Sequence, residues 1–545
     1  MSGLIYSAMS GLSVAQAALV NTSNNISNYT VAGYTRRTLL LEQANSTLQG
    51  NSYFGNGVTI SGVQREYDKF ITAQLRGASA GYNATQTQFN QISGIDKLFS
   101  TSTSNLSSSM QKFFTNVQNV VSNTSDASAR QSLLTNANGM VNQFQTAARY
   151  LSGLQTGVNN DISSSVDQIN AFSSQIATLN EQINKLTTGN NASPNDLLDQ
   201  RDLLVSKLNA IAGVNVTQQD GSYIVSMGSV TLVNGRDTTR LVAVPSGADS
   251  TRMTVGYADK QAGNVEIPEN MLDSGSLGGL LKFRREDLDK VQNQLGQLAA
   301  AFTSRFNAVH SQGFDSAGKP GQNFFNIGSP SVASNSKNTS SATINAEWSD
   351  ASALKASDYK VTYDGTNWSV TRMSDNVKLN VKPDPSDGKL HFDGMKLTIT
   401  GSPDAKDSFI IKPVKNVIDG MSVAIKDQSQ IASASSATGG MSDNRNIQKL
   451  LDIQNVKLVN GNATLNGAYA IMVSDIGNKT SSLQTTTTTQ KNVVIQLSER
   501  QQSVSGVNLD EEYANLTKFQ QYYMANAQVL KTANTIFDAL MGIRG

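Results

Sequence analysis

Three aspartates, Asp196, Asp199 and Asp202, recur every third residue, the spacing that sets carboxylates along one face of a helix. Converging carboxylates are the minimal equipment for general acid–base chemistry. Arg201 and Lys207 lie among them beside an apolar stripe, so the face is predicted to be solvated and not catalytic. The two histidines, His310 and His391, have no HExxH or HxH companion, and each reads as a surface or half-buried residue with no metal to hold. Gly278 and Gly279 follow no strand and lack a P-loop lysine, which excludes a phosphate cradle. No serine occupies a Gly-x-Ser-x-Gly elbow. The chain has no cysteine, which removes thiolate nucleophiles, disulfides and cysteine metal sites together. The acidic run Asp510, Glu511, Glu512 has a plainer reading, placed at the positive end of a helix dipole. No catalytic residue, cofactor or metal is expected.

What the sequence does carry is helical seams. Ile5, Leu12, Leu19 and Ile26 recur every seven residues, with Ala8 and Ala15 interleaved and Ser7, Ser10, Ser13, Gln16 and Asn24 opposite. Leu509, Leu516, Tyr523, Leu530 and Phe537 repeat the pattern at the other end, with Phe519, Asn526, Ala533 and Leu540 in the second position. Asn508 or Asp510 can cap that helix. An apolar stripe about 42 Å long, at ~1.5 Å per residue, is too large to stand in water. Each terminal helix therefore needs a partner, and the two uncovered seams are expected to satisfy each other.

Between them, residues 156–186 show isoleucines at 162, 169, 176 and 183, and 277–309 read as one further helix. Ser193 and Pro194 are the N-cap and first turn of a helix ending near Gly213. Residues 82–99, 105–150 and 465–500 are helical by pattern. The run Thr485 to Thr489 is low in complexity, a loose link or a helix face. Two stretches switch to period two, 214–267 and 343–413, punctuated by Asp220-Gly221, Asn234-Gly235, Asp364-Gly365 and Asp393-Gly394, the strongest short hairpin signals.

A chain of 545 residues exceeds one core, so several domains are predicted. The fold class is multidomain and mainly α, with paired, coiled-coil-like terminal helices and inserted β-rich outer domains. Residues 1–60 and 505–545 form an inner terminal domain; 61–213, 276–335 and 418–504 a helical rod domain; 214–275 a β-rich subdomain; and 340–415 an outer β-rich domain. With 43 Lys+Arg against 42 Asp+Glu, no electrostatic pull toward nucleic acid exists. No cleavable signal pattern and no window of ~20 apolar residues for membrane insertion is visible.

The run Ala17 to Asn28 (AALVNTSNNISN), then Gly33-Tyr34-Thr35-Arg36, resembles the amino-terminal signature of flagellar rod, hook and hook-associated proteins. Ser505 to Glu512 (SGVNLDEE), then Leu516, Phe519-Gln520, Tyr523, Ala525-Asn526-Ala527 and Leu540, resembles their carboxyl signature. Ser193 to Asp202 (SPNDLLDQRD) and Val63 to Asp68 (VQREYD) are similar to the hook-associated protein 1 family within that group. The resemblance implies a structural subunit of the bacterial flagellum with no enzymatic activity, at the junction between hook and filament. It implies extracellular location after export by the flagellar type III apparatus, without a cleaved signal peptide. The implied partners are copies of itself in a ring, hook protein on one side, the second junction protein or filament on the other, and an export chaperone. The nine seam residues Ile5, Leu12, Leu19, Ile26, Leu509, Leu516, Tyr523, Leu530 and Phe537 are expected to carry assembly. Leu530 and Phe537 are expected to be the chaperone's anchors. A peptidoglycan-cutting enzyme would need an acidic catalytic module, and a type III translocator a strongly apolar segment; neither is evident.

Overall fold

A computed structural model describes residues 2–100, 106–190, 193–259 and 261–542. It is multidomain and mainly α, with long terminal helices and inserted β-rich domains, as the sequence reading expects. Ten α-helices are present among the described residues: α1 (Ser2–Ser27), α2 (Lys69–Ser100), α3 (Leu106–Ser122), α4 (Ala127–Asn190), α5 (Asn195–Ala212), α6 (Gly275–Lys282), α7 (Asp289–His310), α8 (Arg445–Asp452), α9 (Leu465–Ser505) and α10 (Leu509–Gly542). At ~1.5 Å per residue, the 64-residue α4 is about 96 Å long.

Two helix boundaries differ from the sequence pattern. The chain breaks at 123–126, where Asn123, Thr124, Ser125 and Asp126 supply turn formers and the Asp126 carboxylate accepts the Ser128 N–H at 2.9 Å. It does not break near 151–155. There Leu151, Val158 and Ile162 stay buried and keep one continuous seam across Gly153 and Gly157. The helix expected over 277–309 contains a π-turn, Phe283–Leu288, joining α6 to α7. The turn buries Phe283, Arg284, Asp287 and Leu288 together on one face. The threonine run lies inside α9. The hydroxyls of Thr485, Thr486, Thr488 and Thr489 donate to carbonyls four residues back at 2.9–3.1 Å, so it is a helix face and not a link.

Residues 215–266 form two antiparallel sheets. The four-stranded sheet runs Asn215–Gln219, Ser222–Met227, Val230–Asn234 and Asp237–Thr238; the three-stranded one centres on Met253–Asp259. Residues 331–412 form a five-stranded and a three-stranded sheet. Asp220 (φ 49°) with Gly221 (φ 79°), and Asp393 (φ 42°) with Gly394 (φ 76°), take the double left-handed conformation of type I′ hairpins. The rod core is continuous, with Phe113, Phe302, Phe306, Phe324 and Phe325 meeting at ring separations of 4.7–6.4 Å.

The β-rich stretches are joined to the helices and to each other by buried charge. Arg252 clasps Asp289 of α7 through two bonds of 2.7 and 2.8 Å, and Asp358 lies 3.9 Å away. Lys412 pairs with Asp249, and Gln297 of α7 donates to the Leu354 carbonyl. The 343–413 stretch thus meets α7 at Leu354 and the Arg252–Asp289 pair at Asp358.

Candidate assembly interface

The two terminal helices pack antiparallel. α1 leads through a turn to Arg36, whose guanidinium reaches Glu511 and Glu512 in the first turn of α10 at 2.7 and 2.9 Å. Fifteen residues further along α10, Asn526 packs on Gly11, so closely that a Cβ there would lie 2.6 Å from the Asn526 side-chain carbon. The most buried residues of α1 are mainly small, Ala8, Gly11, Ala15 and Ala18, with Val14 beside them, continued by Thr22 and Asn25. Small side chains at the contact let helix axes approach closely.

Ile5, Leu12, Leu19 and Ile26 flank that line and are half-buried. On α10, Leu509, Leu516 and Leu530 are half-buried, while Tyr523 and Phe537 remain 43% and 47% exposed. The structure brings the two seams to one interface but does not close them. Nine residues of α1 precede Gly11, and the same length of α10 beyond Asn526 ends at about residue 535. Phe537, Leu540 and Met541 therefore overhang the pair, and all three are exposed. By length and composition α1 is also apolar enough to cross a membrane, which corrects the expectation that no window reaches that level.

The joint between this pair and the rod is built from the motif residues. Asn21 and Asn25 donate to the Arg37 carbonyl at 2.7 and 3.0 Å, and Asn25 takes back the Arg37 N–H and the Tyr34 hydroxyl. Gly33 adopts φ +87° against Leu203 of α5, a conformation strained for any other residue. Thr35 donates to Asp199 through both backbone and hydroxyl. Asp199 also pairs with Arg65 at 2.8 Å, and Asp202 receives Arg65, Arg76 and the Tyr223 hydroxyl at 3.1, 3.0 and 2.8 Å. Burial and the Asp202 charge push the Tyr223 phenol well above its usual range, so it stays a donor. Arg201, fully buried, stacks 3.6 Å from the centre of the Tyr223 ring.

These carboxylates correct the expected solvated face: Asp196 is exposed, but Asp199 and Asp202 are enclosed by arginines from the amino-terminal segments. Their i,i+3 spacing is visible in the sequence; Thr35, Arg65 and Arg76, more than 120 residues away, are not. The acidic run on α10 likewise does more than face the dipole. Asn508 is its cap, accepting the Asp510 N–H at 3.0 Å, and Glu512 is buried against Arg36.

His310 is fully buried, against the expectation of a surface or half-buried residue. Its Nδ1 donates to the Gln322 carbonyl at 2.6 Å, and Nε2 accepts the Ala432 N–H at 2.9 Å. Burial lowers its pKa to about 4. Because the folded-state value lies below the ordinary 6.5, stability present above pH 6.5 is lost as pH falls toward 4, by about 3 kcal/mol. Asp287, raised to about 6 by burial, acts with the opposite sign, so the comparison must be with a variant. Denaturant titrations at pH 7 and 4.5 should show this loss in the wild type and its absence in His310→Gln. His391 is exposed beside Asp384 and Asp387, the one three-residue group of possible metal donors among the described residues. Its Nε2 is already bonded to Asp387 at 3.0 Å.

Residues 92–325 match the flagellar hook-associated protein FlgK helical domain, 333–413 the D2-like domain of flagellar hook-associated protein 1, and 500–543 the flagellar basal body rod FlgEFG protein C-terminal region. Flagellar hook-associated protein 1 of Escherichia coli K12 is 55% identical over 548 residues, covering 100% of both chains. The chain belongs to the flagellar hook-associated protein 1 family. The family member from Bacillus subtilis 168 is 26% identical over 98% of this chain and 97% of its own. The flagellar hook junction protein FlgK from Burkholderia pseudomallei has a similar structure, with a TM-score of 0.75 and 29% identity, covering 79% of this chain and 100% of that one. Like the rest of the family, the chain is a structural component of the flagellum and not an enzyme.

Proposed function

We propose that this chain forms the junction between hook and filament, and that it assembles by packing its terminal module against that of neighbouring copies in a ring. One observation carries the assembly reading. Of 34 exposed large hydrophobic side chains among the described residues, 13 lie in residues 2–65 and 9 in 509–542, under a fifth of the chain. Apolar surface concentrated in this way marks an interaction site. The seam residues Ile5, Leu12, Leu19, Ile26, Leu509, Leu516, Tyr523, Leu530 and Phe537 hold the module together, and the half-covered ones reach into the neighbour. The terminal module is the inner domain, 61–213, 276–335 and 418–504 the rod, and 214–275 with 340–415 the outward-facing β-rich parts. Hook protein contacts one side of the ring and the second junction protein or filament the other. Cells lacking the chain should show bare hooks by electron microscopy and shed filament protein into the medium; normal filaments would overturn the junction role.

Export through the flagellar type III apparatus, without a cleaved signal peptide, delivers the chain to the cell exterior. An export chaperone clamps α10 beforehand, using Leu530 on the seam and Phe537 on the overhang. Replacing both with Ala removes two anchors worth about 1.5–3 kcal/mol each when buried. Chaperone affinity should fall at least tenfold by calorimetry on the purified pair; unchanged affinity would separate the chaperone surface from the seam.

A further inference from the structure

We propose that the β-ribbon formed by Arg37–Gln43 and Val58–Arg65, with the small hairpin at its tip, is a docking arm that covers an apolar stripe on α10 of a second copy of this chain. This rests on the self-association proposed above and names the surfaces that meet. The ribbon is two strands wide, no further strand among the described residues pairs with either edge, and it has no core of its own. A two-stranded ribbon is marginal in water unless something packs on it. Instead it presents Leu41, Leu48, Tyr53 and Phe54 at 47–74% exposure. Its base is held by α5, where Arg65 meets Asp199 and Asp202 and Asn195 donates to the Val63 carbonyl at 2.8 Å. Nearer the tip it is seated on α1, where Gly57, at φ +91°, lies flat on Ser7 and Ser10, and the Val58 N–H bonds the Ser10 hydroxyl at 3.2 Å. That seat aims the tip hairpin, Thr47–Gln49 and Ser52–Phe54, without covering it.

The matching surface is Tyr522, Val529 and Ile536, recurring every seven residues and 38%, 42% and 46% exposed. Each sits one residue before Tyr523, Leu530 or Phe537, so the stripe runs about 100° round α10 from the seam that meets α1. It spans about 21 Å at ~1.5 Å per residue, and an eight-residue strand spans about 26 Å at ~3.3 Å per residue, so the two are commensurate. In this chain the arm is in place and the stripe is still open; a second copy is what brings another arm. Arm and stripe are different surfaces, so the contact is head-to-tail, the kind that closes a ring or propagates a helix.

The absence of native cysteine makes disulfide trapping clean. The full-length chain carrying Phe54→Cys and Val529→Cys should give a ladder of covalent multimers on oxidation, while either single variant gives none. Tyr53→Asp with Phe54→Asp should raise the concentration needed for self-association at least tenfold, read by sedimentation velocity under reducing conditions. Oligomers by sedimentation without a ladder would overturn the arm and leave self-association standing. A fast-migrating internally bridged monomer would mean that the arm covers its own stripe, which also overturns it. No oligomer at any concentration would overturn the self-association reading beneath it.

Discussion

Replacing Asp202 with Ala should loosen the terminal module from the rod at a cost of about 3–5 kcal/mol, the range for removing one partner of a buried ion pair. Among the described residues Arg76 has no other carboxylate, and its Nε already lacks a partner, so its side chain, 11% exposed, would be left charged and stranded. Arg65 would keep Asp199, and the Tyr223 hydroxyl would lose its acceptor. The loss should be local. Hydrogen exchange should speed up over 28–68 and α5, while the aromatic core around Phe113 and Phe306 stays protected. Adding Arg76→Met should recover much of the cost, because replacing both partners by apolar groups is far milder than orphaning one. Equal protection of 28–68 in the wild type and Asp202→Ala would show that the ion network does not hold the joint.

This network marks where the sequence stops being legible. Seven-residue spacing showed both terminal helices and their mutual need, because helical period and seam are the same local fact. Asp220-Gly221 and Asp393-Gly394 showed type I′ hairpins, because the turn conformation is decided by the two residues in it; Asp364-Gly365 instead opens a four-residue loop between Tyr363 and Trp368, with only the glycine left-handed. The acidic face of α5 was a different case. Spacing says which side chains share a face, but the face is buried by Thr35, Arg65 and Arg76, and no periodicity reports contacts across such separations. His310 was misplaced for the same reason: its partners, Gln322 and Ala432, converge from two loops. The seam itself was half-read. Hydrophobicity pointed to Ile5, Leu12, Leu19 and Ile26, and the structure buries Ala8, Gly11, Val14, Ala15 and Ala18 more deeply, a set in which all but Val14 are small enough for close approach.

That distinction yields the sharpest expected result. Gly11→Leu should abolish terminal pairing and junction assembly although it improves α1 as a helix. Leu is favoured over Gly in a helix interior by nearly 1 kcal/mol, so isolated helicity should rise. The obstacle is the partner: the Cβ position lies 2.6 Å from the Asn526 side-chain carbon and 2.9 Å from its amide nitrogen. Ala in this place is tolerable, since Asn526 can swing aside by giving up its 2.8 Å bond to the Tyr522 carbonyl. Leu adds three more carbons at the closest point of the pair, where only outward movement of α10 makes room, and the flanking contacts of Leu12 and Leu530 part with it. Gly11→Leu should leave rod stability unchanged, since α2, α4 and α9 do not depend on the seam, while cells carrying it lose filaments. Asn526→Ala in the same chain should restore part of the assembly by reopening space at that level. Normal filaments from Gly11→Leu would show that the close approach of α1 and α10 is not the arrangement the flagellum uses.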